Sequence, residues 1–240
     1  MRSSRTWLPY LPLMVFAISL DAHAQQSYFN VPSSEITKTN QGFVQEQVDV
    51  GNQIQSNLTL DYGLGSGWEI GANWLDADVA AFKGTTTADL AGLALMNLQK
   101  SFALTNSLSI AIGTQQGTRG PNTEHLYPWA HFSFGTFVYA PTDSSLVRLT
   151  AGIYEASASY LTGSDHGVRG VLVGSEIGLW KERLSAQVEW ISGAHSLGTS
   201  AVGFVMYFSP SWMLSAAAQS NNPEPLKPVS AILEFTYSGH

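Results

Sequence analysis

The chain has 240 residues, of which 44% are apolar and only 12% are charged, and its formal charge is −7. A mean hydropathy of +0.02 excludes a protein built from several membrane helices, because each span needs about 20 consecutive apolar residues. The chain has no cysteine, which excludes disulfides, cysteine zinc sites and thiol nucleophiles. The negative charge argues against nucleic-acid binding.

Residues 1–24 have the pattern of a secretory signal peptide. Arg2 and Arg5 form a positive start, residues 7–20 are mostly apolar, and Ala22-His23-Ala24 is a small-x-small cleavage site. The apolar stretch is short for a membrane span, so we expect cleavage rather than an uncleaved anchor. Loss of this segment changes the formal charge from −7 to −8.

Residues 25–41 are polar, lack periodicity and contain Pro32. We expect them to form a periplasmic lead-in to the following domain. The alternative is a plug that enters the lumen of a barrel, since larger barrels use such plugs.

Twelve segments after residue 41 alternate apolar residues with small or polar ones, which is the period-two pattern of β-strands. In one of them Trp68, Ile70 and Trp74 fall on one face, and Glu69 and Asn73 fall on the other. The predicted strands cover 43–50, 53–62, 68–75, 91–101, 107–116, 129–140, 146–155, 170–180, 183–192, 199–208, 212–220 and 228–237.

The connections between these strands alternate between short and long. Short connections follow the even-numbered strands, as at 63–67 and 181–182, and long ones follow most odd-numbered strands, as at 76–90 and 156–169. The two-residue connection at 51–52 is the exception. Transmembrane barrels have short periplasmic turns and longer external loops, so this asymmetry favours a membrane barrel over a soluble sandwich.

Aromatic residues gather near the predicted strand ends, in the manner of the two girdles that mark membrane interfaces. The candidate interface residues are Tyr62, Trp68, Trp74, Trp129, Tyr139, Trp180, Trp190, Trp212, Phe235 and Tyr237.

The tract from Leu60 to Gly71 resembles the strand–turn–strand units of bacterial outer-membrane porin-like barrels. The last strand, with Phe235 and Tyr237, is similar to their C-terminal insertion signal. The resemblance implies one all-β, antiparallel, up-and-down transmembrane barrel over residues 42–240, located in the outer membrane of a Gram-negative cell envelope.

The inward positions of the predicted strands indicate a narrow, acid-lined lumen. Twelve strands about 4.8 Å apart and tilted by about 40° give a backbone radius of roughly 12 Å. In the first strand either Asp49 or Glu46 faces inward. The candidate pore-lining residues are Asp61, Glu69, Asn73, Arg148, Glu176, Gln187, Glu189 and Glu234.

Carboxylates along a pore attract cations and repel anions, so these residues predict a passive porin-like channel for small cationic or neutral solutes. The alternative is a non-conducting structural or surface-interaction barrel, in which Arg148 bridges several carboxylates and closes the lumen. Expected partners are outer-membrane lipids, lipopolysaccharide, the outer-membrane assembly machinery and small solutes.

A lipid-modifying enzyme is the third hypothesis. The outer-membrane phospholipase A family of twelve-stranded barrels uses a His-x-Ser motif followed by Asn-Gly, and His131-Phe132-Ser133-Phe134 is similar to it. Here Phe134 replaces that asparagine, and no asparagine follows before Gly193. We expect the phenylalanines to face lipid, the His-Ser pair to face the lumen, and the protein not to be an enzyme.

The predicted long connections contain His125, His166 and His195, beside Glu124 and Asp165. No two of these histidines have a close ligand spacing, so we expect exposed side chains and no metal site. The chain also lacks phosphate-binding and dinucleotide-binding motifs, and no cofactor is predicted.

Overall fold

The structure is a computed structural model and describes residues 27–81, 92–120, 128–141, 147–161, 164–180, 183–222 and 230–239. The predicted signal peptide and parts of the predicted long connections lie outside the described residues.

Twelve antiparallel strands form one closed barrel, in which each strand pairs with its neighbours in sequence and the first strand pairs with the last. This confirms the predicted all-β fold and strand number. The strands are β1 (Gly42–Val50), β2 (Gln53–Gly65), β3 (Trp68–Ala81), β4 (Leu93–Ala103), β5 (Leu108–Arg119), β6 (Trp129–Tyr139), β7 (Val147–Ala156), β8 (Val168–Trp180), β9 (Leu184–Ile191), β10 (Thr199–Tyr207), β11 (Trp212–Asn221) and β12 (Ser230–Ser238).

The barrel has two different ends. One carries the short connections after the even-numbered strands, such as 66–67 and 208–211, and we call it the turn end. The other carries the longer connections, such as 157–167 and 192–198, and we call it the loop end.

β3 is longer than predicted and runs beyond Leu75 to Ala81. The alternation breaks at Asp76, which has a left-handed backbone with a φ of 59°, and the β2–β3 register shifts nearby. The strand pairing nevertheless continues, and the Gln55 side chain donates a 3.1 Å hydrogen bond to Asp78. The sequence pattern at this bulge is therefore the same as the pattern expected where a strand ends and a loop begins.

The outer surface of the barrel is apolar along its middle. Ile112, Ile153 and Phe204 are 61%, 67% and 55% exposed. An extended exposed surface of this kind is stable in lipid rather than in water, which places the barrel in an outer membrane. No helix among the described residues is long and apolar enough to cross a membrane.

β6 corrects one of the predicted strand orientations. Phe132 and Phe134 are buried inside the barrel, whereas His131 and Ser133 lie on the outer face. The physical reason lies partly in Gly113, which is paired with Phe134 and leaves space for its ring; a Cβ at Gly113 would lie 2.3 Å from that ring. Apolarity alone does not distinguish a lipid-facing side chain from one packed inside the lumen.

Residues 27–41, which we call the N-terminal segment, run inside the barrel as far as Thr37 and are exposed at 38–40. The segment meets the wall near the turn end, where Thr39 forms a parallel bridge with Gly63. Near its other end a tight turn is closed by the hydrogen bond from the Tyr28 N–H to the Val31 carbonyl (2.9 Å). Tyr28, Phe29 and Val31 are at most 3% exposed, so they form part of the barrel interior.

The orientation of β6 can be tested with single cysteines, because the native chain has none. A nitroxide attached through Ser133→Cys should be accessible to dissolved oxygen in the lipid phase. One attached through Phe134→Cys should be immobilised and protected. Electron paramagnetic resonance of the two labelled proteins in lipid vesicles measures both properties, and greater oxygen access at position 134 would contradict the assigned orientation.

Candidate channel lumen

The lumen contains all eight side chains that were predicted to line it. Asp61, Glu69, Asn73, Gln187, Glu189 and Glu234 are at most 8% exposed, and the side chains of Arg148 and Glu176 are 16% and 12% exposed. In the first strand, Asp49 faces inward and Glu46 faces outward, where it accepts a hydrogen bond from Ser56. A pore-lining role for these residues stays a prediction, because most of them bind neighbouring groups in the lumen.

Glu189 on β9 binds the tip of the N-terminal segment. Its carboxylate accepts hydrogen bonds from the backbone N–H groups of Asn30 (2.9 Å) and Val31 (3.0 Å) and from the Asn30 amide (2.7 Å). The same amide donates to the Gln219 side chain (2.8 Å). Charge-assisted bonds of this kind are stronger than neutral ones, and they compensate for the burial of Glu189.

Arg148 on β7 binds two carboxylates, one on the segment and one on the wall. It contacts Glu35 at 2.6 Å and Glu176 at 3.3 Å. Glu176 also accepts hydrogen bonds from Ser185 (2.6 Å) and Tyr207 (3.0 Å). The guanidinium therefore links the N-terminal segment to β7 and β8, as the closed-barrel alternative predicted in part.

Nearer the turn end, wall side chains bind the backbone of the segment. Glu69 accepts a hydrogen bond from the Thr37 N–H (2.5 Å), and the Gln99 amide donates to the Ser33 carbonyl (3.0 Å). At the same level, a bond within the wall joins the Asn97 amide of β4 to the Asp61 carboxylate of β2 (2.7 Å). The contacts of the segment thus extend from the turn end to the level of Glu189.

An apolar cluster joins the segment to the inner wall at β6, β7 and β8. Tyr28 and Val31 pack with Phe132, Tyr154, Leu172 and other buried side chains. Gly174 on β8 permits this contact, because a Cβ there would lie 2.6 Å from the Tyr28 ring. The Tyr28 hydroxyl is 2.9 Å from the Thr150 hydroxyl.

Sequence reasoning missed Asn30 and Glu35 as lumenal residues, because the segment has no periodicity that could orient its side chains. One signal was available. Inward carboxylates outnumbered inward bases, and buried carboxylates require donors from elsewhere in the chain.

A cavity of about 520 Å³ remains between the N-terminal segment and the opposite wall. It begins at the loop end, near Gly51 and Asn52, and reaches Thr59 and Asn73 on β2 and β3. Phe29 and other segment residues form one side of it. The interior of the twelve-stranded barrel is therefore only partly filled.

On the outside of the barrel, the predicted interface aromatics are all at least 37% exposed. Near the turn end, the Trp212 ring lies 4.9 Å from Phe235 and 4.6 Å from Tyr237, centroid to centroid. Strand register places Trp74 and Trp129 in one row across β3 to β6. Their assignment to the two membrane interfaces stays a prediction.

The His131-x-Ser133 pair lies on this outer face, so its predicted lumenal orientation is wrong. The Ser133 hydroxyl is 3.0 Å from the Thr114 hydroxyl, and the His131 ring is 3.8 Å from Glu155. Glu155 in turn accepts a 2.8 Å hydrogen bond from Arg169. Within the described part of the chain, the Ser133 hydroxyl bonds to another hydroxyl, whereas a serine nucleophile needs an adjacent base.

Two of the three histidines of the long connections lie within the described residues. His166 is exposed, and His195 lies beside the Tyr154 hydroxyl at 3.0 Å. Burial lowers the pKa of His195 below its ordinary value, which favours the neutral ring at pH 7. His125 lies outside the described residues, within which no group of three or more metal-ligating side chains occurs.

No protein-family model matches this chain, and no curated protein matches it in sequence. Solved structures do resemble it. The KdgM porin aligns with a TM-score of 0.55 at 10% identity, over 82% of this chain and 99% of the porin. The NanC porin aligns with a TM-score of 0.53 at 8% identity, over 83% and 99%. A KdgM porin in complex with disordered oligogalacturonate gives 0.54 at 8% identity, over 82% and 99%. At these identities the likeness establishes a porin-like barrel fold.

The attachment of the segment can be tested at Glu189. Glu189→Leu removes the acceptor of three hydrogen bonds, each worth about 1.5–3 kcal/mol when it involves a charged group. We expect backbone amides of residues 28–34 to exchange with solvent at least about tenfold faster, as measured by hydrogen–deuterium exchange in detergent micelles.

The matched control is Glu155→Gln, which changes a carboxylate on the outer face. This control should leave exchange in the segment unchanged. Equal exchange in the wild-type protein and Glu189→Leu would show that the carboxylate does not hold the segment.

Proposed function

We propose that this protein is an outer-membrane porin-like channel for small solutes, with a lumen narrowed by the N-terminal segment. The observation that carries the proposal is the polar cavity of about 520 Å³ inside the closed wall. Eight-stranded barrels are generally filled by side chains and sixteen-stranded barrels leave an aqueous channel, so a twelve-stranded barrel has room for a narrow path.

The lumen should prefer cations and neutral molecules over anions. In the described part of the chain, Arg148 faces a larger set of carboxylates across the inner wall and the segment, and Arg119 at the loop end is paired with Asp76. These carboxylates belong to Glu35, Asp49, Asp61, Glu69, Glu176, Glu189 and Glu234. Carboxylates along a pore attract cations and repel anions.

We also propose that the N-terminal segment acts as a plug that sets the width of the path. Its ion pair through Glu35 and its hydrogen bonds at Asn30 and Thr37 attach it along the inner wall. Polar bonds can exchange with water when the segment moves, so partial release of the plug would widen the path without loss of the barrel.

The porins that share this fold include one in complex with oligogalacturonate, which is a polyanion. The acidic excess in the present lumen is poorly suited to a polyanionic solute. We therefore extend the channel function to this chain without extending that solute.

A non-conducting structural or surface-interaction barrel is the second candidate. It is favoured by the ion pairs of Arg148 and by the apolar cluster around Tyr28, both of which fill part of the lumen. In that case the barrel would act through its loops at the cell surface, in contact with lipids and lipopolysaccharide.

We predict that the purified protein inserted into a planar lipid bilayer gives discrete conductance steps. In a potassium chloride gradient, the reversal potential should indicate a preference for potassium. Asp49→Asn should reduce this preference because it removes a charge from the cavity wall, whereas the outward-facing Glu46→Gln should not. An equal effect of the two substitutions would contradict the proposed conduction path.

We predict that deletion of residues 27–38 raises the conductance several-fold, because the plug no longer occupies the lumen. Barrel formation is checked by the heat-dependent change in electrophoretic mobility that intact barrels show. Glu189→Leu provides a second variant that keeps the chain complete and should increase the frequency of high-conductance openings. Silence of the wild-type protein and of both variants would favour the non-conducting barrel.

A further inference from the structure

The loop-end cavity has an unusual composition for the interior of an acidic protein. Among the 26 described residues that line it, eleven are asparagine or glutamine, two are aspartate and none is lysine or arginine. A primary amide presents a donor and an acceptor side by side. The wall is therefore suited to ligand groups that both donate and accept hydrogen bonds.

The two aspartates in this wall are already engaged. Asp49 accepts hydrogen bonds from the Gln47 amide (3.0 Å) and the Asn57 amide (2.9 Å). Asp76 forms an ion pair with Arg119 at 2.9 Å. Both carboxylates of the wall are thus bonded within the protein, as are the Gln47 and Asn57 amides that donate to Asp49.

Two polar atoms of the wall are buried and have no hydrogen-bond partner within the described part of the chain. They are the Gln45 amide nitrogen and the Thr199 hydroxyl. Gln45 is 7% exposed and Thr199 is 3% exposed, and both line the cavity. Buried polar atoms are normally bonded, so each indicates a position where a ligand atom would be stabilised.

Aromatic rings supply an apolar surface beside the amides. Phe132 and Tyr160 stack with ring centroids 5.2 Å apart and an interplanar angle of 20°. The Tyr160 hydroxyl donates a 3.1 Å hydrogen bond to Gln115, which places that amide next to the ring pair. Phe29 of the N-terminal segment also lines the cavity.

We propose that this cavity is a binding site for neutral polyhydroxylated solutes of mono- to disaccharide size. Sugar hydroxyls match the amides, and the C–H faces of a sugar ring pack on aromatic rings. The volume of about 520 Å³ falls in the range of ligand pockets. The site deepens the proposed channel function by naming the solute class, and it rests on that function for its role in passage.

Acidic solutes fit the same wall less well. An acidic sugar would find no basic side chain among the described residues that line the cavity. The Arg119 guanidinium, which contacts the lining residue Asp76, is paired with that carboxylate. A neutral sugar needs no basic partner, because its hydroxyls can bond to the wall amides.

The experiment measures binding rather than conduction. Saturation-transfer difference NMR on the full mature chain in detergent micelles is run with sucrose and with digalacturonate. We expect saturable transfer to sucrose, and at least about tenfold weaker affinity for digalacturonate. Absence of transfer to sucrose, or equal affinity for digalacturonate, would overturn the proposal.

Neighbouring residues on β5 provide a matched pair of variants. Gln115→Leu removes an amide from the cavity wall and should weaken sucrose binding by about tenfold or more. Gln116→Leu changes the next residue, which is exposed on the outer face and bonded to Thr114, and should leave binding unchanged. Gln47→Leu changes the opposite wall of the cavity and should also weaken sucrose binding. It replaces Gln115→Leu as the test variant if Gln115→Leu disturbs folding. Equal affinities of the wild-type protein and the two cavity variants would overturn the site.

This binding assay can fail independently of the bilayer experiment. Conductance without sucrose binding would overturn the saccharide site and leave the channel. Sucrose binding by a silent barrel would support the site and overturn conduction.

Discussion

Closure of the sheet between β1 and β12 is the constraint on which the rest of the structure depends. Lipid offers no hydrogen bonds to backbone N–H and C=O groups, so a sheet that crosses a membrane cannot leave an unpaired edge. The register from Phe43 opposite Ser238 to Val50 opposite Ala231 removes the last two edges. Closure also separates two environments, because alternate residues on every strand must face either lipid or the enclosed lumen.

The enclosed lumen creates a second requirement, which the N-terminal segment helps to satisfy. Carboxylates turned away from lipid still need donors or bases, because an unpaired buried charge is costly. The backbone amides of Asn30 and Val31 meet this need for Glu189, and Arg148 meets it for Glu35 and Glu176. The segment is therefore bound by the same acidic side chains that give the lumen its charge, which couples the width of the lumen to its electrostatics.

Most of the wall could be predicted from the sequence, because period-two alternation and connection length are local properties. All twelve strands were found this way, and strands such as β9, with Gln187 inward and Val188 outward, were also oriented correctly. β6 was oriented incorrectly because its pattern is apolar on one face and small or polar on the other, and either face could meet lipid. The orientation of β6 depends on two residues that are distant from Phe134 in sequence. Gly113 leaves room for the Phe134 ring inside the lumen, and Tyr28 provides apolar contacts there. The contacts of the N-terminal segment were beyond local reasoning for the same cause, since Asn30 meets Glu189 across 159 positions of the chain.

The cavity follows from how unevenly the segment fills the barrel. On the side of β6 to β9 its apolar residues Tyr28 and Val31 pack against buried apolar side chains of the wall. On the side of β1 to β3 the wall is lined by amides, which an apolar segment could not cover without leaving polar atoms unbonded. At the level of Tyr28 and Val31 the segment therefore packs against β6 to β9, and the amide-lined side stays open at the loop end. On our proposal, a neutral hydroxylated solute would complete the hydrogen bonds that the segment leaves unmade, and the asymmetry that positions the segment would also select the class of molecule beside it.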